Sequence, residues 1–94
     1  MTPGLDAGLR LARFCKALGH PVRVTIVRFL ETQRRGATCG EIVRQLPLAQ
    51  STVSEHLRVL REAGLVEAQD APPAVVYRVS ASALDRFRRE ALAL

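Results

Sequence analysis

Aromatic side chains are scarce in this chain: no tryptophan, one tyrosine and three phenylalanines among 94 residues. Proteins that grip single-stranded bases, or read RNA on a sheet, stack those bases on aromatic rings, so the scarcity points away from both classes. Cysteine is scarcer still. Cys15 and Cys39 are too few to staple a disulfide scaffold at this length, and their thiols are expected to stay reduced. Residues 1 to 10 carry Asp6, Arg10 and two glycines and no apolar stretch of the kind a secretory leader needs. No run approaches membrane-crossing length, so the expected setting is cytoplasmic, with no membrane partner. Internal repeats and low-complexity tracts are absent as well, which leaves one expected domain over residues 1–94.

Acidic residues are outnumbered, nine against fourteen lysines and arginines, for a formal net charge of +5. Thirteen of the fourteen cations are arginine, the side chain suited to holding a phosphate or a guanine edge in a set geometry. A small basic domain without stacking aromatics points to duplex DNA first. A hydrophobic share of 48% belongs to a folded chain. At 94 residues its core is thin, and pairing with a second copy would supply the missing burial.

Apolar residues at 5, 9 and 12, with a parallel row at 11, 15 and 18, predict a first helix over about residues 5–18, ended by Gly19. Pro21 suits the first turn of a second helix. Val22 to Val27 is β-branched and alternates like a strand, but the row 22, 26, 29, 30 and the proline start favour helix. Gln33 to Ala37 reads as a polar loop. Thr38 and Glu41 form the Thr-x-x-Glu capping pattern, so a short helix should begin there and run past Leu46 to a stop at Pro47. The next helix spans about Gln50 to Ala63, with Gly64 and Leu65 as a left-handed cap and its apolar contact. Strands over Leu65–Gln69 and Val75–Val79 flank Asp70-Ala-Pro-Pro73, a connection longer than a tight turn. A last helix should begin at Ser82 with Leu84, Phe87, Ala91 and Leu94 in one row.

Helix, proline turn, helix and hairpin in this order spell a winged helix-turn-helix. The expected fold is mainly α with a small β-hairpin and about five helices. Its helix-turn-helix covers about residues 39–63 and its wing about 65–79. On a wheel of 100° per residue, Val53, Leu57 and Leu60 share one inward sector. Ser51, Glu55, Arg58 and Glu62 lie nearly opposite, flanked by Thr52 and Ser54, with His56 at the boundary. Gln50, Ser51, Thr52 and Ser54 are hydrogen-bonding side chains suited to base edges. Glu55 can accept from a cytosine amino group, and Arg58 can pair with guanine or phosphate. Tyr77 and Arg78 are the expected wing contacts, with Arg44 and His56 as candidate phosphate contacts. An amphipathic surface helix with a polar outside would show the same wheel. The neighbouring elements are what favour DNA.

These residues resemble the arsenic-repressor (ArsR/SmtB) family of bacterial winged-helix repressors. The resemblance is carried by Ala17-Leu-Gly-His-Pro-Val-Arg23, Cys39-Gly-Glu-Ile42, Gln50-Ser-Thr-Val-Ser-Glu-His-Leu57, Leu60-Arg-Glu-Ala-Gly-Leu-Val66 and Val76-Tyr-Arg-Val79. It covers nearly the whole chain. It implies a homodimer joined through the first and last helices (about 5–18 and 82–93), an α-helix in the major groove of operator DNA, and repression relieved by a small effector. Leu5, Leu9 and Ala12, with Leu84, Phe87 and Ala91, are the expected dimer contacts. The family's best-known metal site needs two cysteines one residue apart before the recognition helix, and here Ala37 stands two before Cys39. Its other common site needs Asp, His and Glu on the last helix, which here has no histidine. Neither metal site carries over.

Cys39 is expected in the first turn of a helix, where a thiolate is favoured, although Glu41 opposes this. Cys15 falls on an apolar row. Each reads either as a small buried hydrophobe or as part of a thiol sensor. Such a sensor would bind trivalent arsenic or another thiophilic ligand at Cys39, or join Cys39 to Cys15 on oxidation. No cofactor is certain. His20 reads as a helix cap. A Cys/His pair can be written down, but nothing supplies an orienting third group, an oxyanion site or a substrate pocket, so no enzyme is expected. The sequence therefore reads as a dimeric repressor, with or without a thiol-reactive signal. The alternative is a winged module that reads another protein.

Overall fold

The computed structural model describes residues 4–94. The loose start expected over 1–4 lies outside the described residues except at Gly4, which caps the first helix with φ +88°. Five helices and three strands follow one another: α1 (Leu5–Leu18), α2 (Pro21–Glu31), β1 (Ala37–Thr38), α3 (Cys39–Val43), α4 (Gln50–Glu62), β2 (Val66–Ala71), β3 (Ala74–Val79) and α5 (Ala81–Leu92).

Local chemistry accounts for the helix ends. The His20 ring accepts from the backbone N–H of Val22 at 3.2 Å, and Pro21 starts α2 with no amide to waste. The β-branched run of α2 is helical because Ile26, Val27 and Leu30 reach the core only at that spacing. At α3 the capping box forms in both directions. The Thr38 hydroxyl accepts from the Glu41 N–H at 3.2 Å, and Glu41 Oε1 accepts from the Thr38 N–H at 3.0 Å. Helix α4 ends in a Schellman cap, with the Leu65 N–H on the Leu60 carbonyl at 3.0 Å and the Gly64 N–H on that of Arg61 at 2.9 Å. Gly64 holds φ +81°, which a side chain would strain.

Four expectations are corrected. Residues 37–38 are a strand, not loop: Ala37 pairs with Tyr77 and Thr38 with Val76, giving a three-stranded antiparallel sheet in the order β1-β3-β2. Gly36 permits this approach, with φ +78° and a would-be Cβ only 2.6 Å from the Tyr77 carbonyl oxygen. The α-helix at Cys39 stops at Val43. Tighter i→i+3 bonds from Gln45 to Ile42 and from Leu46 to Val43 carry the chain to Pro47. The wing connection is a two-residue turn at Pro72–Pro73, because Ala71 pairs directly with Ala74. Helix α5 begins at Ala81, capped by Ser80, whose hydroxyl accepts from the Ala83 N–H at 3.3 Å.

One continuous core joins Phe14 and Ala17 of α1 to Ile26, Val27 and Leu30 of α2, Ile42 of α3, and Val53, Leu57 and Leu60 of α4. Leu65, Val66 and Leu84 complete it. Phe87 meets Phe14 edge-on, with centroids 6.2 Å apart, and so docks α5 on α1. Leu84 is therefore corrected from a dimer contact to a core residue of its own protomer, only 5% exposed. Leu5 and Leu9 of α1 and Leu92 of α5 stay exposed.

Candidate nucleic-acid interface

Helix α4 is held from one side only. Val53, Leu57 and Leu60 are almost wholly buried, each contributing about 1.5–3 kcal/mol of burial, and they orient the helix on α2, α3 and β2. The opposite side is open. Gln50, Ser51, Thr52 and Ser54 are exposed in the first two turns. No side chain caps that end, because Ala49 occupies the cap position. Among these four, only Ser54 has a side-chain hydrogen-bond partner among the described residues, its hydroxyl lying 3.6 Å from the Cys39 sulfur.

The second half of α4 is different. The Arg58 guanidinium is gripped by Glu55 at 2.5 and 3.0 Å and by Glu62 at 2.6 Å. These carboxylates raise the Arg58 pKa further above its ordinary value, and the Arg58 hydrogen bond lowers that of Glu55. All three groups are exposed, so the pairs add little to stability. What they do is occupy Arg58 and Glu55, the two charged readers expected from the sequence, with each other.

His56 departs from its expected role as a phosphate contact. It is half-buried against α2, with its ring centroid 4.5 Å from that of His20, and its Nδ1 is buried without a partner. Burial, then His20 and Arg23, push its pKa below the ordinary value, with Glu55 opposing. Such a ring offers a phosphate less positive charge than an exposed histidine would. Arg44, at the end of α3, is exposed as expected.

The two expected wing contacts both have neighbours within the chain. Tyr77 is half-buried and packs on the core. Arg78 donates to Gln69 Oε1 at 2.9 Å and to the Arg35 carbonyl at 3.3 Å, which ties it to the base of the sheet. The tip beyond Gln69 reads Asp70-Ala-Pro-Pro-Ala74 and holds no cation.

The two thiols are free. Cys15 is exposed, correcting the buried reading, on a helix that packs against α2, α4 and α5. Cys39 is half-buried in the first turn of α3, which packs against α4, β1 and β3. Its sulfur lies 3.6 Å from the Ser54 hydroxyl. No group of three or more His, Cys, Asp or Glu is placed to hold a metal ion among the described residues. No helix of the described residues is long and apolar enough to cross a membrane.

Sequence reasoning missed Arg13, Lys16 and Arg23, which line one cleft with Arg58 and Glu62. Arg13 and Lys16 stand three apart on one helical face, a spacing the sequence offered. Arg23 joins them only through the packing of α2 on α1.

Residues 18–69 match the model of a helix-turn-helix domain family. The chain is 36% identical over 70 residues to the biofilm growth-associated repressor of Xylella fastidiosa, covering 74% of this chain and 60% of that protein. It is 38% identical over 76 residues to the transcriptional repressor SmtB of Mycobacterium tuberculosis, covering 81% of this chain and 53% of that one. It thus spans between half and two thirds of these relatives' length. Its fold is similar to the homodimeric winged helix-turn-helix DNA-binding domain of a possible ArsR-family transcriptional regulator from Mycobacterium bovis. That likeness has a TM-score of 0.77 at 29% identity and covers 99% of this chain and 83% of that one.

Proposed function

From the premise that this chain belongs to the ArsR/SmtB family of winged helix-turn-helix regulators, we propose that it is a homodimeric, sequence-specific repressor that binds duplex operator DNA. The observation that supports this most is the open front of α4. Gln50, Ser51 and Thr52 stand exposed, without side-chain partners, on a helix whose other side is locked into the core. In this reading these three and Ser54 read bases, and Arg44 holds a phosphate. Glu55 and Arg58 take part only when DNA breaks their mutual pairing. The proposed dimer uses the exposed Leu5 and Leu9 of α1 with Ala12, and Phe87 and Ala91 of α5. The radius of gyration of 14.1 Å supports a partner, since a compact chain of this length would show roughly 12 Å. The whole of residues 1–94 acts as the DNA-binding and dimerising unit.

The test is selection of duplexes from a random library, followed by anisotropy titration against a scrambled duplex across a salt series. Enrichment of a two-fold sequence, bound more weakly as salt rises, is expected. Weak, salt-insensitive binding with no enriched sequence would sink the repressor and favour a protein-reading module. Leu9→Glu is expected to give a folded monomer by light scattering with weakened DNA binding. An intact dimer would reject this interface.

The contact between Cys39 and Ser54 supports a narrower thiol-responsive reading. A thiophilic ligand or oxidant modifying Cys39 would displace Ser54 on the reading helix, without any bridge to Cys15. Operator binding by wild type and Cys39→Ser, each reduced, oxidised and exposed to trivalent arsenic, is expected to differ only in the treated wild type. Six equal affinities would leave a repressor without a thiol signal.

A further inference from the structure

We infer that a basic shelf formed by α1 and α2 holds the DNA backbone between the two half-sites, a phosphate-gripping role for which the α1 side of α4 carries the larger excess of positive charge. This rests on the reading that α4 enters a major groove of a two-fold site.

Helix α4 has a cleft on each flank. Toward α1 and α2 the cleft measures about 410 Å³, and its charged lining is Arg13, Lys16, Arg23 and Arg58 against the single carboxylate of Glu62. Toward the wing, Arg58 and Arg61 face Glu62 and Glu67, two charges of each sign. The field around α4 is therefore lopsided, strongly positive on the α1 side and balanced on the wing side. A polyanion is drawn to the α1 side.

The shelf's cations are also free of carboxylate partners. Arg13 and Lys16 are exposed, and among the described residues no ion pair engages either. Arg23 is held in place without losing its charge. Its Nε donates to the Ala17 carbonyl at 2.6 Å and its Nη2 to the Lys16 carbonyl at 3.4 Å, so no carboxylate neutralises it. The wing differs in its acids. Arg78 is likewise held by neutral acceptors, Gln69 and the Arg35 carbonyl, but Glu67 and Asp70 stand exposed beside it on β2.

Orientation follows from the proposed dimer. Helix α1 carries the exposed Leu5 and Leu9 toward a second copy, so the α1 flank of α4 faces the two-fold axis and the wing flank faces away. DNA on the α1 flank is then the segment joining the half-sites. Its phosphates meet the Arg13, Lys16 and Arg23 shelves of both protomers.

The experiment titrates the full chain onto a duplex that the wild type enriches from a random library, and onto a scrambled duplex, over a salt series. Arg13→Gln with Lys16→Gln, which keeps much of each side-chain stem, is expected to weaken binding to both duplexes alike. It should also reduce the slope of log affinity against log salt by about 2 per protomer. Arg13→Lys with Lys16→Arg is expected to restore the slope, and Arg78→Gln to change it less. Uncharged methylphosphonates at the central phosphates should weaken the wild type more than the double Gln variant, which keeps only Arg23 of the shelf. Light scattering and thermal melts confirm an intact dimer for each variant. An unchanged slope in the double Gln variant, or a larger loss from Arg78→Gln, would overturn the shelf while normal discrimination by the wild type upheld the reading of α4. A wild type that binds enriched and scrambled duplexes alike would overturn that reading, and with it the shelf's place between half-sites.

Discussion

The two halves of α4 lie on one continuous helix and solve opposite problems. From Gln50 to Ser54 the outward side chains are neutral, exposed and, apart from the Ser54 hydroxyl, without partners in the chain. From Glu55 to Glu62 three of them, Glu55, Arg58 and Glu62, are charged and satisfy one another, with Arg58 held by a carboxylate on each side. A group already paired must give up that pairing before it reads DNA, whereas a free hydroxyl or amide gives up only water. The lesson is that the front half is prepared to discriminate, and the back half is prepared to stay out of the way until its charges are claimed.

The largest effect comes from removing what the halves share. Leu57→Ala, at a site 1% exposed between them, should lower stability by roughly 2–5 kcal/mol and unfold both halves together in a thermal melt. A variant that kept wild-type melting would mean that α4 is not anchored by this row. Next in size is the front half alone. Ser51→Ala with Thr52→Ala should leave the melting temperature near wild type and cost roughly 1–3 kcal/mol of preference for an enriched duplex over a scrambled one. If preference survived while the affinity for both duplexes fell together, the front half would be a phosphate contact, not a reader.

A smaller effect is expected in the back half. Glu62→Gln removes a negative charge and frees one arm of Arg58, so binding to every duplex should tighten severalfold with little change in stability or preference. Tightening confined to one sequence, seen by anisotropy, would make Arg58 a base reader that Glu62 holds in check.

What the sequence made legible was local. The capping box of Thr38 and Glu41, the glycine cap at Gly64 and the inward row of α4 each depend on residues within a turn or two. The pairing of Arg58 with Glu55 and Glu62 was legible too, at spacings of three and four, but reading those residues as DNA contacts hid it. Other features needed the fold. Ala37 becomes a strand only because β3 returns beside it, and Arg78 finds the Arg35 carbonyl 43 positions away. Leu84 looked unpartnered until α5 closed on the core. Cys15, on an apolar row of the sequence, proves exposed once the helix is packed.

His56 also belongs to this second group, since nothing in the sequence places it against His20, and its effect is the smallest expected. Burial depresses its pKa below the ordinary 6.5, with His20 and Arg23 adding to the shift and Glu55 opposing it. The unfolded chain therefore takes up this proton near pH 6.5, while the folded chain resists until lower pH. Across that window the unfolded state binds more protons, so stability falls as pH drops below 6.5 and levels off once the folded ring is also charged. Above 6.5 this residue gives no slope. His56→Leu removes the titrating group and keeps an apolar side chain against α2, so its melting temperature should fall less steeply between pH 6.5 and 5 than that of the wild type. The comparison is of slopes, so any shift in absolute stability from the substitution drops out. Parallel slopes would mean that the ring at the back of α4 takes its proton freely, and that α2 does not bury it in solution.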